Sequence, residues 1–182
     1  FDALAIMAAP LLFGAIPLAR AIVIFVAGEE FLPSVPLLRI LMIALFCMFI
    51  GASFSHAVVV IQKQKVMVKY YGLLALFMLI AYLRLIPRHS YFAAAWLTVI
   101  SEFLALILAF FVVYKETGFV PRLTVLVKSL ISAILMSAIL YPIRAWSLFA
   151  TVPIGVCVYG AVLYGIGGIR KGLVREMIGL RG

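Results

Sequence analysis

Charged residues are scarce in this sequence, and their scarcity excludes most soluble functions. Of the 182 residues only 12% are charged, whereas 68% are hydrophobic, and the mean hydropathy is +1.30. A soluble domain is usually about 25% charged and about 45–50% apolar. A water-soluble globule of this size could not bury so much apolar surface. We therefore exclude a soluble enzyme, a disordered tail and a nucleic-acid-binding domain.

Acidic residues are the rarer of the charged residues. Six Asp and Glu stand against 15 Lys and Arg, which gives a net charge of +9. In a chain this apolar, the basic excess indicates a membrane protein with basic cytoplasmic loops rather than a partner of nucleic acid. The lipid bilayer is therefore the first expected partner.

Cysteine, histidine and catalytic motifs are also sparse. Cys47 and Cys157 each lie in an apolar run and are interpreted as small core residues, so no disulfide or metal site is predicted. His56 and His89 are far apart and lack neighbouring acids. The sequence contains no P-loop, His-Glu-x-x-His motif or nucleophile elbow. We predict no catalytic residue, no cofactor and no enzymatic activity, with convergence of groups from distant helices as the alternative.

Long apolar runs are what the sequence does contain. Six of them approach the roughly 20 residues that cross about 30 Å of hydrocarbon. They cover about 3–27, 36–61, 66–86, 91–114, 125–143 and 147–169. Because lipid does not tolerate unpaired backbone groups, each run is predicted to be a helix, and the fold class is an all-α, polytopic membrane protein. Pro10, Pro17 and Arg20 predict a kinked or broken first helix.

The basic residues also predict the orientation of these helices. Ten of the 15 basic residues lie near the helix ends on one side of the predicted membrane. They are Lys63, Lys65, Lys69, Lys115, Arg122, Lys128, Arg170, Lys171, Arg175 and Arg181. Four lie near the helix ends on the other side, namely Arg39, Arg84, Arg88 and Arg144. The richer side should be cytoplasmic. Both ends of the chain then face the cytoplasm, Glu29 and Glu30 lie outside, and residues 170–182 form a basic cytoplasmic tail.

Glu102 is the sharpest functional candidate, because an ionisable residue within an apolar span is costly. It lies about midway along the fourth run and therefore near the bilayer midplane. Two roles stay open: a proton or cation site, and a structural ion pair with a Lys or Arg of another helix. Its neighbours Ser101 and Thr98 are expected to hydrogen-bond to it.

Arg20, Arg84 and His56 are further candidates. Arg20 is a candidate anion contact, because a guanidinium binds phosphate oxygens bidentately; the alternative is that it snorkels to the outer interface. Arg84, a secondary candidate, is expected to snorkel on the same side. His56 is either a proton relay or a hydrogen-bonded core histidine. Small residues such as Gly51 and Ser55 predict a face where helices pack closely.

Three stretches carry a resemblance to a transporter family. They are residues 25–41 (FVAGEEFLPSVPLLRIL), 58–65 (VVVIQKQK) and 85–102 (LIPRHSYFAAAWLTVISE). They are similar, in that order, to an outer loop with a Leu-Arg-Ile-Leu helix start, a helix end with a basic turn, and an Ile-Pro turn followed by a Ser-Glu pair. The chain resembles the C-terminal half of polysaccharide (O-antigen type) flippases, in the superfamily that also contains multidrug antiporters. The likeness covers about 1–114 and extends more loosely over 115–169.

The resemblance implies a transporter. The six helices would be the last six of fourteen and form one lobe around a central cavity, and alternating access would move a lipid-linked oligosaccharide across the cytoplasmic membrane for cell-surface polysaccharide synthesis. Arg20 would contact the substrate pyrophosphate, and Glu102 with Ser101 would couple an ion or form a structural pair. Because the chain begins with Phe1 rather than Met, we expect it to be part of a longer protein whose N-terminal helices supply the other lobe.

Three alternatives stay open. They are a multidrug-type, cation-coupled antiporter of the same superfamily, a small accessory subunit that transports nothing, and a membrane transferase that acts on lipid-linked sugars. The excess of basic intramembrane residues favours an anionic lipid over a cationic drug, and the scarcity of acidic loop residues argues against a transferase. The family's glycines before the fourth span are replaced here by His89, Ser90 and Phe92.

Overall fold

A computed structural model describes residues 1–121, 123–143 and 147–168, and within these ranges the secondary structure is helical. Six helices are long and apolar enough to cross a membrane, which confirms the predicted fold class. They are α1 (Asp2–Ala27), α2 (Val35–Val60), α3 (Gln64–Arg88), α4 (Ser90–Thr117), α5 (Thr124–Ile143) and α6 (Leu148–Gly165), with a short 3₁₀ helix (Glu29–Ser34) before α2. The predicted basic tail, together with Arg122 and Arg144, lies outside the described residues.

The first helix is continuous, so of the two predicted outcomes, a kink or a break, the break is wrong. α1 runs through both Pro10 and Pro17. A proline within a helix has no N–H for the carbonyl four residues before it, which is Ile6 in the case of Pro10. The Tyr159 hydroxyl of α6 donates to the Ile6 carbonyl at 2.8 Å. Neighbouring helices commonly satisfy such carbonyls in membranes, and this bond does so for α1.

The connection between α3 and α4 is shorter than predicted. Residues 87–90 were expected to form a turn, but α3 continues through Pro87, and Ser90 alone has non-helical backbone angles (φ 57°, ψ −150°). Across this turn the Tyr82 hydroxyl of α3 and the Thr98 hydroxyl of α4 are 3.3 Å apart. The two helices are therefore antiparallel neighbours where they leave the turn.

Two apolar clusters hold the helices together, and α1 contributes to both. The first joins α1 to α2, α3 and α4 through Ala5, Ile50, Phe54, Val58, Met67, Ala109, Val112 and Val113. The second joins α1 to α5 and α6 through Ala9, Leu18, Ala133, Met136, Leu140, Tyr159 and Leu163. Ala5, Ala8 and Ala9 are fully or almost fully buried, and their small side chains let neighbouring helices approach α1 closely. α1 therefore lies between an α2–α4 group and an α5–α6 group.

Polar contacts tie several helix ends together at one end of the bundle. The Lys63 ammonium, in the α2–α3 turn, lies 2.8 Å from the Glu116 carboxylate at the end of α4. The Lys128 ammonium of α5 donates to the Gly167 carbonyl, just beyond α6, at 3.0 Å. We call this the basic end, because it also carries Lys65, Lys69 and Lys115. Its cytoplasmic placement stays a prediction from the charge count.

Candidate functional site

A cavity between α2, α3 and α4 brings together polar residues from three helices. Its volume is about 240 Å³. It is lined by Cys47, Met48, Gly51, Ala52, Ser55 and His56 of α2, Tyr71 of α3, and Glu102, Ala105 and Leu106 of α4. We call it the Glu102 cavity. The α4 residues are spaced three and four apart, which places them on one helix face.

Glu102 stands near the middle of its helix. α4 has 28 residues, and at about 1.5 Å per residue Glu102 lies roughly 18 Å from its first residue. Half of the hydrocarbon thickness is about 15 Å. Glu102 is partly buried, and its place near the bilayer midplane, where an ionised group is least tolerated, stays a prediction from helix length.

The Glu102 carboxylate has no hydrogen-bonding or ion-pair partner among the residues that the structure describes. The Ser101 hydroxyl, expected to bond to it, donates instead to the Thr98 carbonyl at 2.8 Å. The Thr98 hydroxyl donates to the Ala94 carbonyl at 2.9 Å. That expectation is wrong for both hydroxyls, because within a helix the nearest free acceptors are backbone carbonyls of the preceding turn. Within the described ranges, Glu102 is also not in the ion pair that was the alternative to a proton or cation site.

His56 lines the same cavity, closer to the basic end. It is exposed and lies four residues before the end of α2, and no described residue hydrogen-bonds to it. The alternative of a hydrogen-bonded core histidine is therefore not met here. Beside it, the hydroxyls of Ser55 and Tyr71 are 3.4 Å apart and join α2 to α3. The cavity thus continues from Glu102 at mid-helix to hydroxyl and imidazole groups near the basic end.

Close packing at a glycine brings the walls of this cavity together. A Cβ atom on Gly51 would lie 3.6 Å from the Leu106 Cα atom, so α2 and α4 approach closely where Gly51 and Ser55 predicted such a face. Cys47 and Tyr71 also line the cavity, although no sequence pattern joins them to Glu102. They come from separate helices, and only the packing of α2 against α3 and α4 reveals their position.

The two candidate arginines lie away from this cavity. Arg20 is exposed on α1, next to the buried residues Leu18 and Ala19, so its side chain points away from the neighbouring described helices. Arg84 is exposed near the end of α3 that is opposite the basic end, where it lines a separate groove with Arg88. The structure therefore brings His56 and Glu102 together but does not bring either arginine to them.

The chemistry open to the Glu102 cavity is the exchange of a proton or a small cation. An ionisable residue within a membrane-spanning helix is a functional candidate by default, and a carboxylate can bind a small cation or a proton. Among the described residues, no group of three His, Cys, Asp or Glu is arranged to hold a metal ion. Comparison of the chain with protein-family models, with curated proteins and with solved structures found no match.

Proposed function

We propose that this chain forms one lobe of an ion-coupled membrane transporter, and that the substrate is a lipid-linked oligosaccharide destined for cell-surface polysaccharide. The six membrane-crossing helices and the polar cavity among them support the transport part of this proposal. The substrate rests on the sequence resemblance to polysaccharide flippases. In alternating access, one lobe rocks against another around a central site.

The observation that carries the proposal is the position of Glu102. Its carboxylate lines a cavity at mid-helix and has no partner among the described residues. Retaining such a group costs stability unless it binds something. Uptake and release of a proton or a cation would change the charge of the cavity, and that change can favour one arrangement of the lobes over the other.

The size of the Glu102 cavity supports an ion rather than the glycan as its occupant. Sites for drug-sized ligands usually have volumes of about 300–1,000 Å³, whereas this cavity has about 240 Å³. An oligosaccharide therefore needs a larger path, which we propose lies between this chain and further helices. Arg20, which points away from its own helix neighbours, is the proposed contact for the substrate phosphate on that path.

A cation-coupled drug antiporter is the second candidate. An antiporter would use the same ion site and a different substrate, so Glu102 does not distinguish the two functions. The basic residues of the chain favour the anionic substrate: Arg20 and Arg84 are unsuited to a cationic drug, and Glu102 is the only acidic residue inside a predicted span.

Glycan export by cells that make the full-length protein tests the proposal. We expect Glu102→Gln, which keeps the shape but removes the charge, to reduce surface glycan to the level of cells without the protein. The matched control is Glu29→Gln, at an exposed carboxylate in the 3₁₀ helix before α2. It should leave glycan export unchanged at equal protein levels.

The outcomes separate the candidates. Loss of export with Glu102→Gln alone supports the ion-coupled flippase. Normal export with normal levels of the variant contradicts it, and normal export with lost drug efflux favours the antiporter. If deletion of the whole protein affects neither process, both transport candidates are contradicted.

A further inference from the structure

Two arginines and two apolar grooves meet where α3 turns into α4. Arg84 and Arg88 are one helical turn apart on α3 and are both exposed. They line a groove of about 680 Å³ together with Phe77, Ile80, Ala81, Leu83, Leu85 and Pro87. A second groove of about 350 Å³ is lined by Leu85, Phe92, Ala93, Trp96, Leu97 and Ile100. Leu85 lines both, so the two grooves are adjacent.

The charge of the two arginines is not neutralised by the described part of the chain. Neither guanidinium forms an ion pair or a hydrogen bond there. The C-terminus of α3 carries a partial negative charge and the N-terminus of α4 a partial positive charge. Because both lie at this turn, the two partial charges largely cancel. The local potential is therefore set by two guanidiniums whose Cβ atoms are about 6 Å apart.

We propose that this turn binds one anionic phospholipid of the bilayer. Its phosphate accepts hydrogen bonds from Arg84 and Arg88, and its acyl chains lie in the two grooves. Guanidinium groups suit this ligand because they bind phosphate oxygens bidentately. Phe77 and Ile80 precede Arg84 in the sequence and lie between it and the centre of α3. An acyl chain extends in this direction, from a headgroup at the interface toward the middle of the bilayer.

The depth of these residues agrees with a phospholipid. The arginines occupy the last two turns of a 25-residue membrane-spanning helix, where long basic side chains reach the headgroup region. Trp96, exposed at one groove, stands about two turns into α4, among the acyl chains. A soluble phosphate would use the arginines alone and leave both apolar grooves open to bulk lipid.

Fluorescence quenching of Trp96 tests the proposal, because Trp96 lines the second groove. The chain has two tryptophans, so Trp146→Phe leaves Trp96 as the reporter. The full chain with this substitution is placed in phosphatidylcholine bilayers that contain a small fraction of brominated phosphatidylglycerol or of brominated phosphatidylcholine. We expect an apparent affinity about tenfold higher for the phosphatidylglycerol, from the attraction of two basic side chains for an anionic headgroup.

Charge-matched variants show whether the arginines are responsible. The double substitution Arg84→Gln and Arg88→Gln should remove the preference for phosphatidylglycerol over phosphatidylcholine. Lys65→Gln with Lys69→Gln removes two charges at the same spacing from the opposite end of α3 and should leave it intact. Soluble glycerol phosphate should not relieve the quenching; relief would assign the site to free phosphate and contradict a bound lipid.

Equal quenching by the two brominated lipids in the parent chain overturns the proposal, and this readout needs no arginine variant to fold. Loss of the preference in the lysine variant as well as in the arginine variant also overturns it. That result would mean that net charge, rather than the α3–α4 turn, selects the lipid. Circular dichroism of each variant confirms that the helices are retained.

Discussion

The Tyr159 hydroxyl donates to the Ile6 carbonyl at 2.8 Å, across 153 positions of the sequence. Ile6 lies four residues before Pro10, so its carbonyl has no helical N–H partner. Tyr159 is buried, with 7% of its surface exposed. The bond therefore satisfies a backbone group that proline leaves free, and it joins α6 to α1 in the middle of the second apolar cluster.

Tyr159→Phe is expected to lower the free energy of unfolding by about 1 kcal/mol, because it leaves a buried carbonyl without a donor. The measurement is unfolding in a sodium dodecyl sulfate titration. Tyr164→Phe, at an exposed tyrosine of the same helix, is the control and should have no effect.

Pro10→Ala separates this bond from general packing. Alanine supplies the missing N–H to the Ile6 carbonyl. Tyr159→Phe should therefore lower the free energy of unfolding clearly less in the Pro10→Ala background than in the parent chain. An equal cost in both backgrounds would show that the proline and the tyrosine act independently.

Ser90→Gly is expected to stabilise the chain by about 1 kcal/mol. Ser90 has φ 57° and ψ −150°, a backbone region that is costly for residues with a side chain and accessible to glycine. Ser90→Ala keeps the Cβ atom and should give no gain. Equal unfolding free energies for the parent and the glycine variant would contradict the strain assigned to this turn.

Gly51→Leu is expected to lower the free energy of unfolding by about 1–3 kcal/mol, because the added carbons meet Leu106 on α4 and overpack the contact. Gly51→Ala should be tolerated, since its Cβ atom would lie at an ordinary contact distance of 3.6 Å. Gly72→Leu is the control, because no atom lies within 4 Å of a Cβ at Gly72. A similar loss for Gly51→Leu and Gly72→Leu would refute the close α2–α4 approach.

The sequence was sufficient to predict features that depend on local composition. Six apolar runs gave six helices, and the position of Glu102 within its run predicted its mid-helix position, because both follow from the length of the runs. Gly51 and Ser55 predicted a packing face because small residues at this spacing are typical of one.

Features that depend on which helices become neighbours could not be predicted. His56 and Glu102 share a cavity only because α2 packs against α4, and the Tyr159–Ile6 bond requires α6 to lie beside α1. The two prolines predicted a kinked or broken α1, and that α1 is unbroken could not be foreseen, because Tyr159, which donates to the Ile6 carbonyl, is far away in sequence. Ser101 was expected to hydrogen-bond to Glu102, but its hydroxyl donates to the backbone carbonyl of Thr98 instead.

Carbodiimide modification of the chain in membranes tests most directly whether Glu102 is a protonatable group inside the bilayer. The lipid-soluble reagent dicyclohexylcarbodiimide reacts with protonated carboxyls, and mass spectrometry of the peptides locates the product. We predict that it modifies Glu102, that a water-soluble carbodiimide modifies Glu29 and Glu30 but not Glu102, and that Glu102→Gln abolishes the first product. Modification of Glu102 by the water-soluble reagent to the same extent as Glu29, or no reaction with the lipid-soluble one, would contradict an ion site in the Glu102 cavity.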